Sequence, residues 1–492
     1  MKRSAGVLMH ITSLPSPYGI GTMGKAAFEY VDFLKACGQG YWQILPLNPT
    51  GFGDSPYQCF STFAGNPYLI DLDLLREQGL LKKKEYEGLD WGSDPESVDY
   101  GKVYNNKFKV LAVAAGRARL IENKKYNKFC RKNEWWLHDY ARYMAIKGRN
   151  GMRSWMEWED EGLRLHKADK VEAYAEKHEE DVHFWMYIQF LFFEQWGKLK
   201  RYANEKGVKI IGDIPIYVAP DSADVWAGRK NFLFDDDHSF SCYAGVPPDY
   251  FCEDGQFWGN PIYNWDHMKK NNYDWWIKRL VHLESLYDMI RIDHFRGFQS
   301  YYSIDRNETT ARNGQWREGP CMDFFGEVKK QLKDFPIIAE DLGFLTPEVH
   351  AMRQKTGYPG MKVLQFAFDP KGESDYLPHK YEKNCVVYTG THDNTTLAGW
   401  LDEAGKDELR FAARYGAFTK KEGYCWGMLR LMHSSVANLA IAQMQDYLEL
   451  SADARMNTPA TFGKNWRWRV KPGYAKPALA KRIRRMVRLY GR

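Results

Sequence analysis

Asp288-Met-Ile-Arg-Ile-Asp293 runs apolar for most of its length and ends on a carboxylate. Four more runs repeat this design of apolar residues, then polar ones, then Gly or Pro. They are Tyr41-Trp-Gln-Ile-Leu-Pro-Leu-Asn48, Val208-Lys-Ile-Ile-Gly-Asp-Ile-Pro215, Phe335-Pro-Ile-Ile-Ala-Glu-Asp341 and Asn384-Cys-Val-Val-Tyr-Thr-Gly-Thr-His-Asp393. Near-continuous apolar runs of this length suit strands buried on both faces, hence a parallel sheet. Helical patterns lie between several of them, as over 275–287 and 322–333. Strand–helix alternation predicts an α/β fold. Each run closes on residues that chemistry would use. A β/α barrel carries its active site at the C-terminal ends of its strands. A doubly wound sheet binds ligands there too, so this pattern alone leaves both folds open.

A chain of 492 residues is long enough for about three ordinary domains, yet one barrel with insertions can exceed about 400 residues. Residues 72–207 are rich in Lys, Glu, Trp and Tyr at helical spacing and read as a mostly helical insertion. No repeat or flexible linker divides the chain, so 1–492 reads as a single catalytic body. The net charge is +6, with eleven Lys/Arg and no Asp/Glu between Lys464 and Arg492. Within that tail Leu479, Ile483, Met486, Val487 and Tyr490 recur at helical spacing. This favours an amphipathic helix packed on the body over a polyanion site. Eight irregularly spaced cysteines with no C-x-x-C pair suit free thiols in a reducing compartment rather than a disulfide scaffold or zinc site. The opening apolar run, from Ala5 to Met9, is too short for a signal peptide, and no stretch approaches a membrane span. The expectation is a cytoplasmic protein with no membrane and no nucleic-acid partner.

Gly19-Ile-Gly21-Thr-Met-Gly24 matches the spacing of a dinucleotide fingerprint. That motif needs a strand directly before it, and Leu14-Pro-Ser-Pro-Tyr-Gly19 supplies two prolines instead. A tight loop near the substrate fits better. Asp235-Asp-Asp237 lacks calcium-loop spacing and reads as a solvated acidic loop.

The strand-end carboxylates suggest glycosidic-bond chemistry, which needs one carboxylate as nucleophile or base and one carboxylic acid as proton donor. Strand alternation puts Arg291 and Asp293 on one face, and an arginine neighbour favours the ionised form that a nucleophile requires. His294 and Arg296 beside them add donors for sugar hydroxyls, and a structural Arg–Asp pair is the bland alternative. Glu340 follows apolar residues and has Asp341 beside it. Burial or a nearby anion would raise its pKa and suit it to general acid/base work. Its bland alternative is a helix cap. Asp393 sits in Thr389-Gly390-Thr391-His392-Asp393-Asn394, either aimed into a cleft to stabilise positive charge or capping the helix from Leu397. Asp213, after Ile210-Ile-Gly212, reads as a supporting cleft carboxylate. The composition is 15% aromatic, with 18 Trp and 31 Tyr; flat apolar faces with polar edges suit sugar rings.

Arg291-Ile-Asp-His-Phe-Arg-Gly297, Ala339-Glu-Asp-Leu-Gly343 and Thr391-His-Asp-Asn394 together resemble glycoside hydrolase family 77, the amylomaltases and plant disproportionating enzymes. Further matches are Ser13-Leu-Pro-Ser-Pro-Tyr-Gly-Ile-Gly21, Leu45-Pro-Leu-Asn-Pro-Thr50, Asp54-Ser-Pro-Tyr57, Phe63-Ala-Gly-Asn-Pro67, Gly245-Val-Pro-Pro-Asp249, Gly255-Gln-Phe-Trp-Gly-Asn-Pro261 and Asn465-Trp-Arg-Trp-Arg469. They extend over essentially the whole chain. The resemblance is to the compact type, without a long N-terminal extension. It implies a (β/α)8 TIM barrel with mostly helical inserted subdomains, no cofactor and no metal. It also implies a retaining 4-α-glucanotransferase acting on maltooligosaccharides, amylose or other α-1,4-glucans. Asp293 would be the nucleophile, Glu340 the acid/base and Asp393 the transition-state stabiliser, with the first two carboxyls about 5–5.5 Å apart. Arg291, His294 and His392 would hold the reacting sugar. Tyr57, Asp213, Asp249, Gln256, Trp258 and Asn457 would be further glucan contacts. Residues 243–261 are expected to form an aromatic-edged active-site loop that favours transfer over hydrolysis. The alternatives are an α-amylase-like hydrolase and a non-catalytic glucan-binding protein.

Overall fold

All five apolar runs fold as strands, each shorter than its apolar stretch. The computed structural model describes residues 2–51, 53–118, 122–248, 253–343 and 345–492. Its principal sheet has eight parallel strands: β1 (Ser4–Leu8), β2 (Tyr41–Gln43), β3 (Lys209–Ile214), β4 (Met289–Ile292), β5 (Ile337–Ala339), β6 (Gly360–Val363), β7 (Cys385–Tyr388) and β8 (Leu439–Gln443). The order is β6-β7-β8-β1-β2-β3-β4-β5. Its two ends meet where the Ala339 N–H donates to the Pro359 carbonyl at 3.0 Å, so the sheet closes as a TIM barrel. The doubly wound alternative falls on this point, because an open sheet keeps two edges. Buried Ile210, Ile211, Ile290, Ile292, Val386 and Ile441 are 0% exposed, as expected where side chains fill the barrel on one face and meet helices on the other.

Helices Lys25–Cys37, Glu179–Glu205, Asp274–Leu286, Cys321–Leu332 and Pro347–Thr356 follow the barrel outward from β1 to β6. Between β6 and β7 the described residues hold only short 3-10 turns, Leu364–Phe366 and Pro378–Lys380. The stretch between β2 and β3 carries helices Tyr100–Arg117 and Lys124–Arg149, with the latter packed on Glu179–Glu205. The C-terminal helix Pro477–Leu489 buries Ile483 and Val487 against the body, and Arg482 lies 3.6 Å over the Trp426 ring. Its basic residues therefore sit on the outer side of a packed amphipathic helix. Around the 19–24 segment, Gly19 takes φ 78°, and a Cβ there would strike the Trp91 carbonyl at 2.2 Å. That close approach accounts for the glycine without any phosphate.

The 243–261 segment differs from its expected form as a loop. Strands Cys242–Val246 and Gln256–Pro261 pair antiparallel and join Ser300–Asp305 and Gln315–Glu318 in a four-stranded sheet. Its Gly and Pro hide any alternation, and Cys242–Val246 also pairs with a strand far along the chain, Tyr243 lying opposite Ile304. Asp249 falls outside the described residues. The acidic stretch is held by Arg306, 3.1 Å from Asp235 and 2.9 Å from Asp237.

Candidate active site

Strand register, invisible in the sequence, assembles the carboxylates. Asp213 on β3 lies opposite Arg291 on β4, and Ile292 lies opposite Ala339 on β5. The residues after those last two, Asp293 and Glu340, therefore leave adjacent strand ends side by side. The Asp293 N–H donates to Ile214 and the Glu340 N–H to Ile292, at 2.9 and 3.0 Å.

Arg291 is the hub. Its Nη1 donates to both Asp213 oxygens at 2.9 and 2.8 Å, and its Nη2 lies 2.9 Å from Asp293 Oδ1. The Arg291 and Asp213 side chains are 3% and 0% exposed, whereas Asp293 is 31% exposed. One buried cation thus fixes a buried anion on one side and presents an accessible one on the other. Burial alone would lower the arginine's pKa, but Asp213 and Asp293 raise it well above its usual value. Tyr57 adds a hydroxyl that donates to Asp213 Oδ2 at 2.9 Å. Burial, reinforced by Asp213, pushes that phenol far up, so it stays a donor.

Glu340 is held differently. One oxygen accepts from the His294 N–H at 2.7 Å and the other from the Leu342 N–H at 2.8 Å. Burial raises its pKa to about 7, with Asp293 adding to the rise while Arg291 and the two N–H donors oppose it. The expected influence of Asp341 is replaced by that of Asp293. Asp341 turns away, accepting from the Met361 N–H at 2.6 Å and pairing with Arg353 at 3.1 Å.

Asp393 enters from the β7 loop, with its side chain 40% exposed. Its Oδ1 accepts from Asn457 Nδ2 at 2.6 Å, and its Oδ2 lies 3.4 Å from His392 Nε2. It does not cap the helix Leu397–Glu403. Thr396 does so by accepting from the Gly399 N–H, while Asp446 takes the Leu397 N–H. Asn394 closes its own turn on the Thr391 N–H at 2.8 Å. The carboxylate is thus spare for ligand. His392 stacks on Tyr57, with centroids 5.2 Å apart and planes 14° from parallel. This joins the Asp393 side of the site to the Asp213 side.

The aromatic side is built by Trp258, whose ring meets His294 edge-on at 4.8 Å. Its Nε1 donates to Gln256 Oε1 at 3.1 Å. His294 has a left-handed backbone, φ 50°, which swings its ring toward Trp258. Burial pushes its pKa down to about 4, leaving a neutral imidazole. Arg296 lies 4.0 Å over the Trp316 ring. Two participants carried no assigned role in the sequence reading. Arg455 donates to the Asp393 and Asn457 carbonyls at 2.5 and 2.7 Å, binding the two loops together. Trp466 tilts against Tyr57 and His392 at 5.7 and 5.9 Å. The Asn465-Trp-Arg-Trp-Arg469 match was the available signal for Trp466, and closeness to Asn457 was the one for Arg455. Among the described residues no group of three His, Cys, Asp or Glu side chains is placed to hold a metal ion.

A closed parallel barrel with an arginine-paired carboxylate beside a protonatable one at neighbouring strand ends defines an enzyme of glycosidic bonds. The sequence pattern of the 4-alpha-glucanotransferase family matches residues 9–475. The chain is 49% identical over 486 residues to the 4-alpha-glucanotransferase of Clostridium butyricum, covering 98% of this chain and 100% of the relative. It is 45% identical over 500 residues to that of Thermus thermophilus, covering 99% and 98%. The solved structure of the amylomaltase from Streptococcus agalactiae in complex with acarbose superposes with a TM-score of 0.97 at 41% identity, over 100% of both chains. The chain belongs to the 4-alpha-glucanotransferase family, and its activity is the transfer of α-glucan segments.

Proposed function

We propose that transfer proceeds by a retaining double displacement in which Asp293 is the nucleophile, Glu340 the acid/base and Asp393 the transition-state stabiliser. The observation that carries this is the division of labour around Arg291. One carboxylate is ion-paired and accessible, while its neighbour is raised to about 7. In the first step Asp293 attacks the anomeric carbon, the bond to the leaving O4 breaks, and Glu340 passes its proton to that oxygen. In the second step Glu340 takes the proton of an acceptor 4-hydroxyl as its oxygen attacks the same carbon and releases Asp293. One glycosidic bond is lost and one is made.

Arg291, His294 and His392 hold the reacting sugar in this reading. Tyr57, Gln256, Trp258, Asn457 and Asp249 extend the binding surface, and Asp213, buried beneath it, supports it by fixing Arg291 and Tyr57. Neutral His294 and protonated Tyr57 suit uncharged hydroxyls. The antiparallel strands Cys242–Val246 and Gln256–Pro261 wall the acceptor side with Trp258 and limit water, favouring a sugar hydroxyl as acceptor. The substrates are maltooligosaccharides and amylose rather than nucleic acid. Residues 72–207 are an insertion on a single catalytic body. Seven unpaired cysteines among the described residues fit a reducing cytoplasm, and no described helix is long and apolar enough to cross a membrane. Incubation with maltotriose tests the reading. Glucose and longer oligomers should form with little net gain in reducing ends. Steadily rising reducing ends would mean hydrolysis, and an unchanged mixture would mean binding alone.

A further inference from the structure

One cavity of the described residues lies apart from the chemistry. It measures about 580 Å³ and none of the catalytic or glucan-contacting residues named above lines it. That volume falls within the roughly 300–1,000 Å³ of small-molecule sites. Phe63 is part of its lining. The indoles of Trp135 and Trp275 stand nearly perpendicular to that ring, at 4.8 Å and 77° and at 5.9 Å and 74°. Trp135 sits on the helix Lys124–Arg149 and is 43% exposed, while its neighbour Trp136 is buried. Leaving an indole in water at the mouth of a cavity forgoes burial that the next position on the same helix achieves.

The polar lining narrows the choice of ligand. Asp139, Asp224 and Asp274 balance Arg229, Lys230 and Lys278, so the pocket carries no net field for an anion. Two lining atoms, His166 Nε2 and Arg229 Nη1, are buried without a hydrogen-bond partner. His166 Nε2 reaches Asp139 Oδ1 only at 3.6 Å. Flat indole walls, unsatisfied donors and balanced charge match a neutral polyol ring with apolar faces and hydroxyl edges.

We infer that this pocket is a second, non-catalytic site for an α-1,4-glucan segment. It rests on the proposed function only in taking such glucans as substrate. A polymer held here keeps its remaining length near the catalytic cleft, raising the effective concentration for long chains. Maltotriose, too short to occupy both sites, gains nothing.

Trp135→Ala is the test, since the side chain is exposed and alanine favours the helix. KM for long-chain amylose should rise about five- to tenfold, while kcat/KM for maltotriose stays within about twofold. Calorimetric titration of the Asp293→Asn protein with maltoheptaose should show two binding events, and adding W135A should remove one. A single event in both proteins, or an unchanged amylose KM, overturns the inference. Inorganic phosphate is titrated in parallel, and binding of phosphate in place of the sugar overturns it as well. Should W135A lose its circular-dichroism signal, Asn231→Ala, from the same lining, is held to the same criteria. If the wild type makes no transfer products yet binds two glucans, the catalytic reading fails and this one stands.

Discussion

Glu340→Gln separates the two consequences of burying a carboxylic acid. Glu340 is raised from 4.5 to about 7, first by burial. The unfolded chain ionises this group near 4.5, while the folded chain keeps its proton until about 7. Between those values the folded state binds more protons, so stability falls as pH rises, by about 1.4 kcal/mol per pH unit. Above pH 7 both states are ionised and the contribution is flat. The wild type should lose about 3 kcal/mol relative to the glutamine variant between pH 5 and pH 8. The variant carries a constant penalty of its own. Both Glu340 oxygens accept backbone N–H groups, and glutamine offers one oxygen, costing about 1–3 kcal/mol at every pH. The informative quantity is therefore the change in the stability gap with pH, read from urea unfolding at pH 5 and pH 8. Initial rates on maltotriose give the second readout. Wild-type kcat/KM should fall along a basic limb centred near pH 7. The variant should be slower by about 10²–10⁴ and lose that limb. A stability gap that does not move with pH, or a limb of the same midpoint in both proteins, would refute the reasoning.

Arg291→Lys keeps the charge but loses the planar fork that spans Asp213 and Asp293. It should cost about a hundredfold in kcat/KM and less stability than the about 3–5 kcal/mol of deleting a buried charge, measured by maltotriose kinetics and urea unfolding. Asn457→Ala removes the 2.6 Å donor to Asp393. It should lower kcat about ten- to a hundredfold, from a charge-assisted bond of about 1.5–3 kcal/mol, with the maltotriose KM within about threefold. Trp258→Ala opens the His294 side of the site to water. Net reducing ends per glucose released should rise, and an unchanged ratio would remove Trp258 from the control of hydrolysis.

Three barrel strands escaped the sequence reading for identifiable reasons. Ser4-Ala-Gly-Val-Leu8 opens on small residues and Leu439-Ala-Ile-Ala-Gln443 is interrupted by alanines, all of weak strand preference. Gly360-Met-Lys-Val363 places a lysine in its middle. Ser4–Leu8 and Leu439–Gln443 form strands because neighbours on both sides satisfy their backbone groups, and Gly360–Val363 does so by pairing with β7. Asp213 was legible as a strand-end acid, but its structural rather than solvent-facing character follows from Arg291 and Tyr57 closing around it. Arg296 was legible as a donor beside Asp293. The partner that claims it, Trp316, comes from a different sheet.

The sequence by itself determined the alternation of buried strands and helices, the residue types at the strand ends, and the family. These are local patterns of hydrophobicity and short motifs, each complete within a few residues. Only the tertiary structure decided which acids meet. The β3–β4–β5 register sets Asp213 against Arg291 and Glu340 beside Asp293, and the 457 loop brings Asn457 to Asp393. The raised pKa of Glu340 belongs to that assembly too. Burial and the distance between charges exist only after residues more than forty positions apart have been packed together.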